Sequence, residues 1–146
     1  MASNLLVNRK EDVVNVNTQG GRYGNALQAA AEKEPNRLCG FSSSRGADVN
    51  AQGGFYGNAL QAAAAKGIEP VVRLLLERGA DVNAKGGRYG SALQAAAFEG
   101  TEPIVRLLLE RGADVNAQGG PYGNALRAAK RLRHESIVQL LLTHGA

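Results

Sequence analysis

The sequence predicts an all-α repeat solenoid, in which pairs of short helices stack side by side and are joined by glycine-rich turns. Three observations predict it. Residues 53–85, GGFYGNALQAAAAKGIEPVVRLLLERGADVNAK, return at 86–118 as GGRYGSALQAAAFEGTEPIVRLLLERGADVNAQ, with 26 of 33 positions identical. A shorter copy runs from Gly119 to Ala146, and a weaker one begins at Gly20. Each good copy holds two apolar stretches at helical spacing, bounded by capping residues and glycines. A fixed period of this length marks a stack of one small unit that cannot hide its apolar face alone.

The copy at 53–85 shows how the unit is built. Asn58 precedes Ala59, Leu60 and Gln61. This N-x-x-Q spacing resembles a capping box, in which Asn can accept from a free backbone N–H and Gln is expected to reach back. Leu60, Ala63 and Ala64 then give a short helix one apolar stripe, and Gly67 ends it. A second helix starts near Glu69, where Pro70 is tolerated because first-turn N–H groups lack a helical partner. Val71, Val72, Leu74, Leu75 and Leu76 make that helix apolar almost all round, which predicts a helix sandwiched between layers. Arg78 suits the negative end of the helix dipole, and Gly79 closes the helix. Burying one such leucine contributes about 1.5–3 kcal/mol, so stacking is obligatory.

The outer copies depart from this pattern. In the first, a helix is expected over 25–31, but residues 38–46 read LCGFSSSRG where the good copies have VVRLLLERG. Replacing each leucine by serine costs about 2–5 kcal/mol and the mid-helix glycine about 1 more, so 32–45 are expected to be weakly helical at most. In the last copy Lys130 and Arg133 stand where the preceding one has Ala97 and Gly100, producing KRLRH at 130–134. Three readings stand for this run: a polar terminal cap, a nuclear-import signal, or a patch for an acidic partner. With fewer than three units in good order, and the last ending at Ala146 before the expected D-V-N, the chain reads as marginal alone or as part of a longer array.

The N-A-L-Q-A-A-A helix start and the G-A-D-V-N-A tail resemble the ankyrin repeat, in which T-P-L-H-x-A-A opens the first helix. The resemblance covers about residues 13–146 and divides the chain into a remnant at 1–19, a degraded repeat at 20–52, repeats at 53–85 and 86–118, and a truncated repeat at 119–146. It implies that ADVNAKGGRYG-type segments form hairpin-like fingers projecting from the helix pairs. The wording GADVNAQGG-x-YGNALQAA is similar to ankyrin arrays of filamentous fungi, which often form the sensor end of nucleotide-switch proteins.

Composition fits this reading. Apolar residues make up 44% of the 146, aromatics 5%, and the formal net charge is +4. That charge permits acidic partners without requiring them. One cysteine, Cys39, allows no internal disulfide, which fits an intracellular setting, cytoplasmic or nuclear. Cys39 aligns with Val72 and reads as an inert core thiol. No segment suits a secretory signal or a membrane span. The QGGRYGN turns have no following Lys-Ser/Thr, so they are not phosphate loops. His134 and His144 lack metal-ligand spacing, and Ser42 to Ser44 form no nucleophile arrangement with His134. No cofactor and no enzymatic activity are expected.

Two periodic sets remain. Tyr23, Tyr56, Tyr89 and Tyr122 recur at the period, at an expected separation of about 8–10 Å, the helix-packing distance. They read either as a ladder bracing neighbouring fingers or as a row of contacts for a partner. Asp48, Asp81 and Asp114, each followed by Val-Asn, read as turn and inter-repeat hydrogen-bonding residues.

The two best copies differ in chemistry at Phe55/Arg88, Ala65/Phe98, Lys66/Glu99 and Lys85/Gln118. In the ankyrin family these places line the concave recognition surface. By that resemblance the contact strip comprises Arg22, Phe55, Arg88 and Pro121 at the finger tips and Ala65, Phe98 and Arg131 on the first helices. Lys66, Glu99, Gln52, Lys85 and Gln118 complete it. Surface drift is the competing account. An exposed phenylalanine beside an arginine supports contact, and Arg88 and Arg131 add complementarity to acid. The expected function is a non-catalytic scaffold binding another protein. An occluding inhibitor or regulatory subunit uses the same face, and nucleic acid is the weaker rival, suggested by a pI near 9.5.

Overall fold

The computed structural model describes residues 49–146. Among them stand six helices and no strand: α1 (Ala59–Lys66), α2 (Glu69–Glu77), α3 (Ala92–Glu99), α4 (Glu102–Glu110), α5 (Ala125–Arg131) and α6 (Glu135–Thr143). The expectations for residues 25–31 and 32–45, and for Arg22, Tyr23, Cys39 and Asp48, lie outside the described residues.

The first helices α1, α3 and α5 pack in one row, and α2, α4 and α6 in a second row behind them. Alanine makes the first row dense. Ala62, Ala63, Ala64, Ala95, Ala96, Ala97, Ala128 and Ala129 are each 0% exposed, so helix backbones approach without intervening bulk. The second row supplies the large side chains, with Leu75, Leu108 and Leu141 fully buried. These second helices are not apolar all round. Val71, Val72 and Leu75 are buried on α2, whereas Leu74 and Leu76 are only partly covered and Arg73 is exposed. The ion pairs Glu69–Arg73 and Glu102–Arg106, both 2.8 Å, hold the outer face to water.

Each first helix is capped as the spacing predicts on its acceptor side. The Asn58, Ser91 and Asn124 side chains accept from Gln61, Gln94 and Arg127 N–H at 2.8, 3.2 and 2.9 Å. The other half of the capping box fails. Gln61 does not reach back; its amide donates to Ala84 O at 3.3 Å, in the following finger. Gln94 does the same more strongly, donating to Gly119 O at 2.8 Å and Gly123 O at 3.1 Å. The amide Nε2 of each glutamine donates to a carbonyl of the adjacent unit, and its Oε1, which a capping box would set on the cap residue's N–H, accepts no hydrogen bond.

The glycine-rich segments form tight fingers closed by Gly53–Gly57, Gly86–Gly90 and Gly119–Gly123 bridges. Neighbouring fingers touch backbone to backbone: Arg88 N donates to Phe55 O at 2.9 Å. At Gly87, where φ is +67°, an added Cβ would lie 2.3 Å from the Tyr56 carbonyl, so only glycine permits this approach. On the opposite edge, asparagines clip the units together. Asn50 donates to Gly79 O at 3.0 Å and accepts from Asp81 N at 2.6 Å; Asn83 repeats this with Gly112 O and Asp114 N at 3.1 and 2.7 Å. Asp81 and Asp114 accept from Asn83 N and Asn116 N, each at 2.9 Å, which preorganises the clip. The aspartates and asparagines thus act in the turns and between repeats, as their recurrence suggests.

Candidate functional site

Fingers and first helices share one face of the stack, and their residues differ between copies more than anything else in the unit. On segments 51–66, 84–99 and 117–133 the charged residues are Lys66, Lys85, Arg88, Arg127, Lys130, Arg131 and Arg133 against the single acid Glu99. The second helices and their turns carry the reverse balance: Glu69, Glu77, Asp81, Glu102, Glu110, Asp114 and Glu135 against Arg73, Arg78, Arg106 and Arg111. The modest overall charge therefore conceals a cationic finger face opposed to an acidic back.

Gln52, Lys66, Lys85, Arg88, Glu99, Gln118, Pro121 and Arg131 of the expected strip are exposed. Ala65 is not; it is 9% exposed and packs in the core, leaving a partner little to touch. Phe98 is also no exposed anchor. It sits partly buried between two tyrosines, 5.5 Å from Tyr89 and 4.8 Å from Tyr122 by ring centroids. Phe55 is half-buried too, edge-on to Tyr56 at 4.9 Å and overlain by the Arg88 guanidinium at 5.4 Å. For the two phenylalanines the cause is the same: a residue of the next repeat lies against each ring, Arg88 against Phe55 and Tyr122 against Phe98.

The tyrosines form a continuous ladder. Tyr56 and Tyr89 stack at 6.4 Å, tighter than the separation expected from helix packing, and both are buried, at 7% and 6% exposure. Phe98 then bridges Tyr89 to Tyr122, which lies nearer the surface. Arg88 also lies 6.0 Å from the Tyr89 ring, within cation–π reach. The Tyr89 hydroxyl donates to Glu99 Oε2 at 2.7 Å. Burial, followed by this bond and the carboxylate charge, pushes the Tyr89 phenol well above the ordinary tyrosine range. Among the described residues the ladder is thus structural at Tyr56 and Tyr89, and open to the face only at Tyr122.

The last repeat differs from its neighbours. Pro121, Tyr122, Arg127, Lys130 and Arg131 line an open groove of about 690 Å³. Arg133 adopts φ +59°, in the place filled by Gly67 and Gly100, and His134 bonds Phe98 O at 3.0 Å while packing over Gly100. His134 is therefore an inter-repeat contact. Sequence reasoning put Pro121 and Arg131 on the strip and offered Tyr122 as a possible contact and Lys130 within a possible acidic-partner patch, but it did not join them with Arg127 into one groove. The available signal was that Gln61 and Gln94 give way to arginine at 127, and Ala64 and Ala97 to lysine at 130.

Among the described residues no group of three His, Cys, Asp or Glu side chains converges as a metal site would require. Nor is any helix there long and apolar enough to cross a membrane. The geometry defines a helix-pair repeat stack whose fingers and first helices vary between copies and carry more cations than acids. Residues 27–119 match the family model described as ankyrin repeats (3 copies), and the chain belongs to the ankyrin-repeat family. Ankyrin repeats are generally protein–protein interaction modules. No curated protein matches the chain.

Proposed function

We propose that this chain is a non-catalytic binding module that holds a partner protein on the concave side of its stack, through finger tips and the exposed ends of first helices. The observation that carries the reading is the coincidence of sequence variation with charge and exposure. Arg88, Lys85, Gln118, Pro121 and Arg131 are exposed, differ from their counterparts in other copies, and stand on the fingers or first helices. A rigid array needs little ordering on association, because the fingers are already fixed by the Gly-Gly approaches and the Gln94 bonds. The fungal-type wording of the finger and tail supports a place as the recognition part of a larger assembly.

The test uses Lys85→Ala, Arg88→Ala and Arg131→Ala together, since all three side chains are exposed and outside the core. The variant should keep its circular dichroism melt and lose the proteins that the unaltered chain captures from extract. Retention of the same captured proteins would place the contact surface elsewhere.

A further inference from the structure

We propose that the groove on the last repeat docks an acidic segment of a partner protein that also carries an aromatic residue. Its carboxylates meet Arg127, Lys130 and Arg131, and its ring lies against Tyr122. This deepens the protein-binding reading above and rests on it.

Internal comparison supplies the first support. Ala64 and Ala97 are 0% exposed because the following repeat covers them, and the same position in the last unit is Lys130. Gln61 and Gln94 are buried and reach the following finger, and their counterpart is the exposed Arg127. A further copy of the same unit laid on this face would bury an ammonium and a guanidinium with no acid supplied at the matching places. Unpaired burial of charge is prohibitive, so an occupant that covers these groups must bring anions. The ion pairs among the described residues, Glu69–Arg73 and Glu102–Arg106, use none of the three groove cations. Arginine can engage a carboxylate through two parallel N–H donors, which adds geometry to the attraction.

Tyr122 supplies the second support. The ring series Tyr56, Tyr89, Phe98, Tyr122 runs through the stack and arrives at the groove, where Tyr122 is part of the lining. An incoming ring there continues a packing pattern already built, and Pro121 adds a second apolar wall. A peptide fits better than a nucleic acid. Single strands are gripped by successive bases on successive rings, and here Tyr56 and Tyr89 are buried, so the tyrosines among the described residues offer one platform. Three cations within one short helix suit a local run of carboxylates more than an extended phosphate track.

The experiment measures fluorescence anisotropy of labelled ten-residue probes against the whole chain. The probes are an Asp/Glu peptide with one central Phe, the same peptide with Ser for Phe, and a single-stranded oligothymidine. The comparison protein is Arg127→Gln with Lys130→Ala, which restores the residues of the earlier repeats and should melt no lower than the starting chain. The acidic Phe peptide should weaken about tenfold in Kd with that variant, and about fivefold when Phe becomes Ser. Undetectable peptide binding, equal binding by the variant, or tighter binding of the oligothymidine at about 150 mM salt would overturn the proposal. If the peptide fails while the Lys85, Arg88 and Arg131 variant still loses captured protein, this inference alone falls. If that capture also survives, the protein-binding reading falls with it.

Discussion

Gly79 and Gly87 both hold positive φ, at +93° and +67°, yet an added Cβ meets nothing within 4 Å at Gly79 and the Tyr56 carbonyl at 2.3 Å at Gly87. Gly79→Ala should therefore cost about 1–2 kcal/mol, the strain of a left-handed L-residue. Gly87→Ala should cost about 1–3 kcal/mol beyond that, because one finger must be pushed off the next. Urea midpoints followed by far-UV circular dichroism separate the two. Tyr89 gives a pH-dependent counterpart. Its phenol binds its proton more tightly folded than unfolded, so the stability it contributes is complete below about pH 10 and disappears as pH rises past that value. Tyr89→Phe should flatten this alkaline loss and lower neutral-pH stability by about 0.5–1.5 kcal/mol through the missing bond to Glu99. Measurements of unfolding between neutral and alkaline pH check both. The tyrosine row was legible from its period, but the Glu99 bond was not, because it joins positions ten apart across a finger and a helix end whose geometry no pattern states.

Among elements, the first helices are where local reading succeeded and then stopped. Asn58, Ser91 and Asn124 cap as their spacing predicts. The glutamines that complete the apparent capping box instead tie each helix to the next finger. Gln94→Ala should thus cost about 1–3 kcal/mol, since Gly119 O and Gly123 O lose a buried donor. A cap-only role would cost no more than a few tenths, a difference that chemical denaturation resolves. Sequence spacing sees partners a few residues away, and a bond spanning 25 or 29 residues is invisible to it. The strip suffered similarly at Ala65 and Phe98. Comparing copies shows which positions vary, whereas exposure depends on what the next copy lays over them.

For the molecule as a whole, repetition carried the prediction: one period, one amphipathic pair and one set of glycines specify an all-α stack once neighbours must share their leucines. Position within the row then sets the energetic weight of equivalent residues. Leu108 and Leu141 are both 0% exposed, but α4 is flanked by α2 and α6, whereas α6 packs on α4 at one end of the described array. Leu108→Ala should approach the upper end of about 2–5 kcal/mol and Leu141→Ala the lower, because an end unit relaxes into its cavity more readily. Thermal melts of the two variants side by side test this ordering. The cationic finger face and acidic back were legible as residues but not as surfaces, since overall charge averages them away.

The Asn50 and Asn83 clips, the finger contacts and the buried core all join each unit to its neighbours, so tension applied along the row is borne by a series of seams between adjacent helix pairs. Pulled from its two ends, the protein should yield in steps of one helix pair, each releasing a similar length of chain. Relaxed, it should rewind unit by unit, behaving as a small spring.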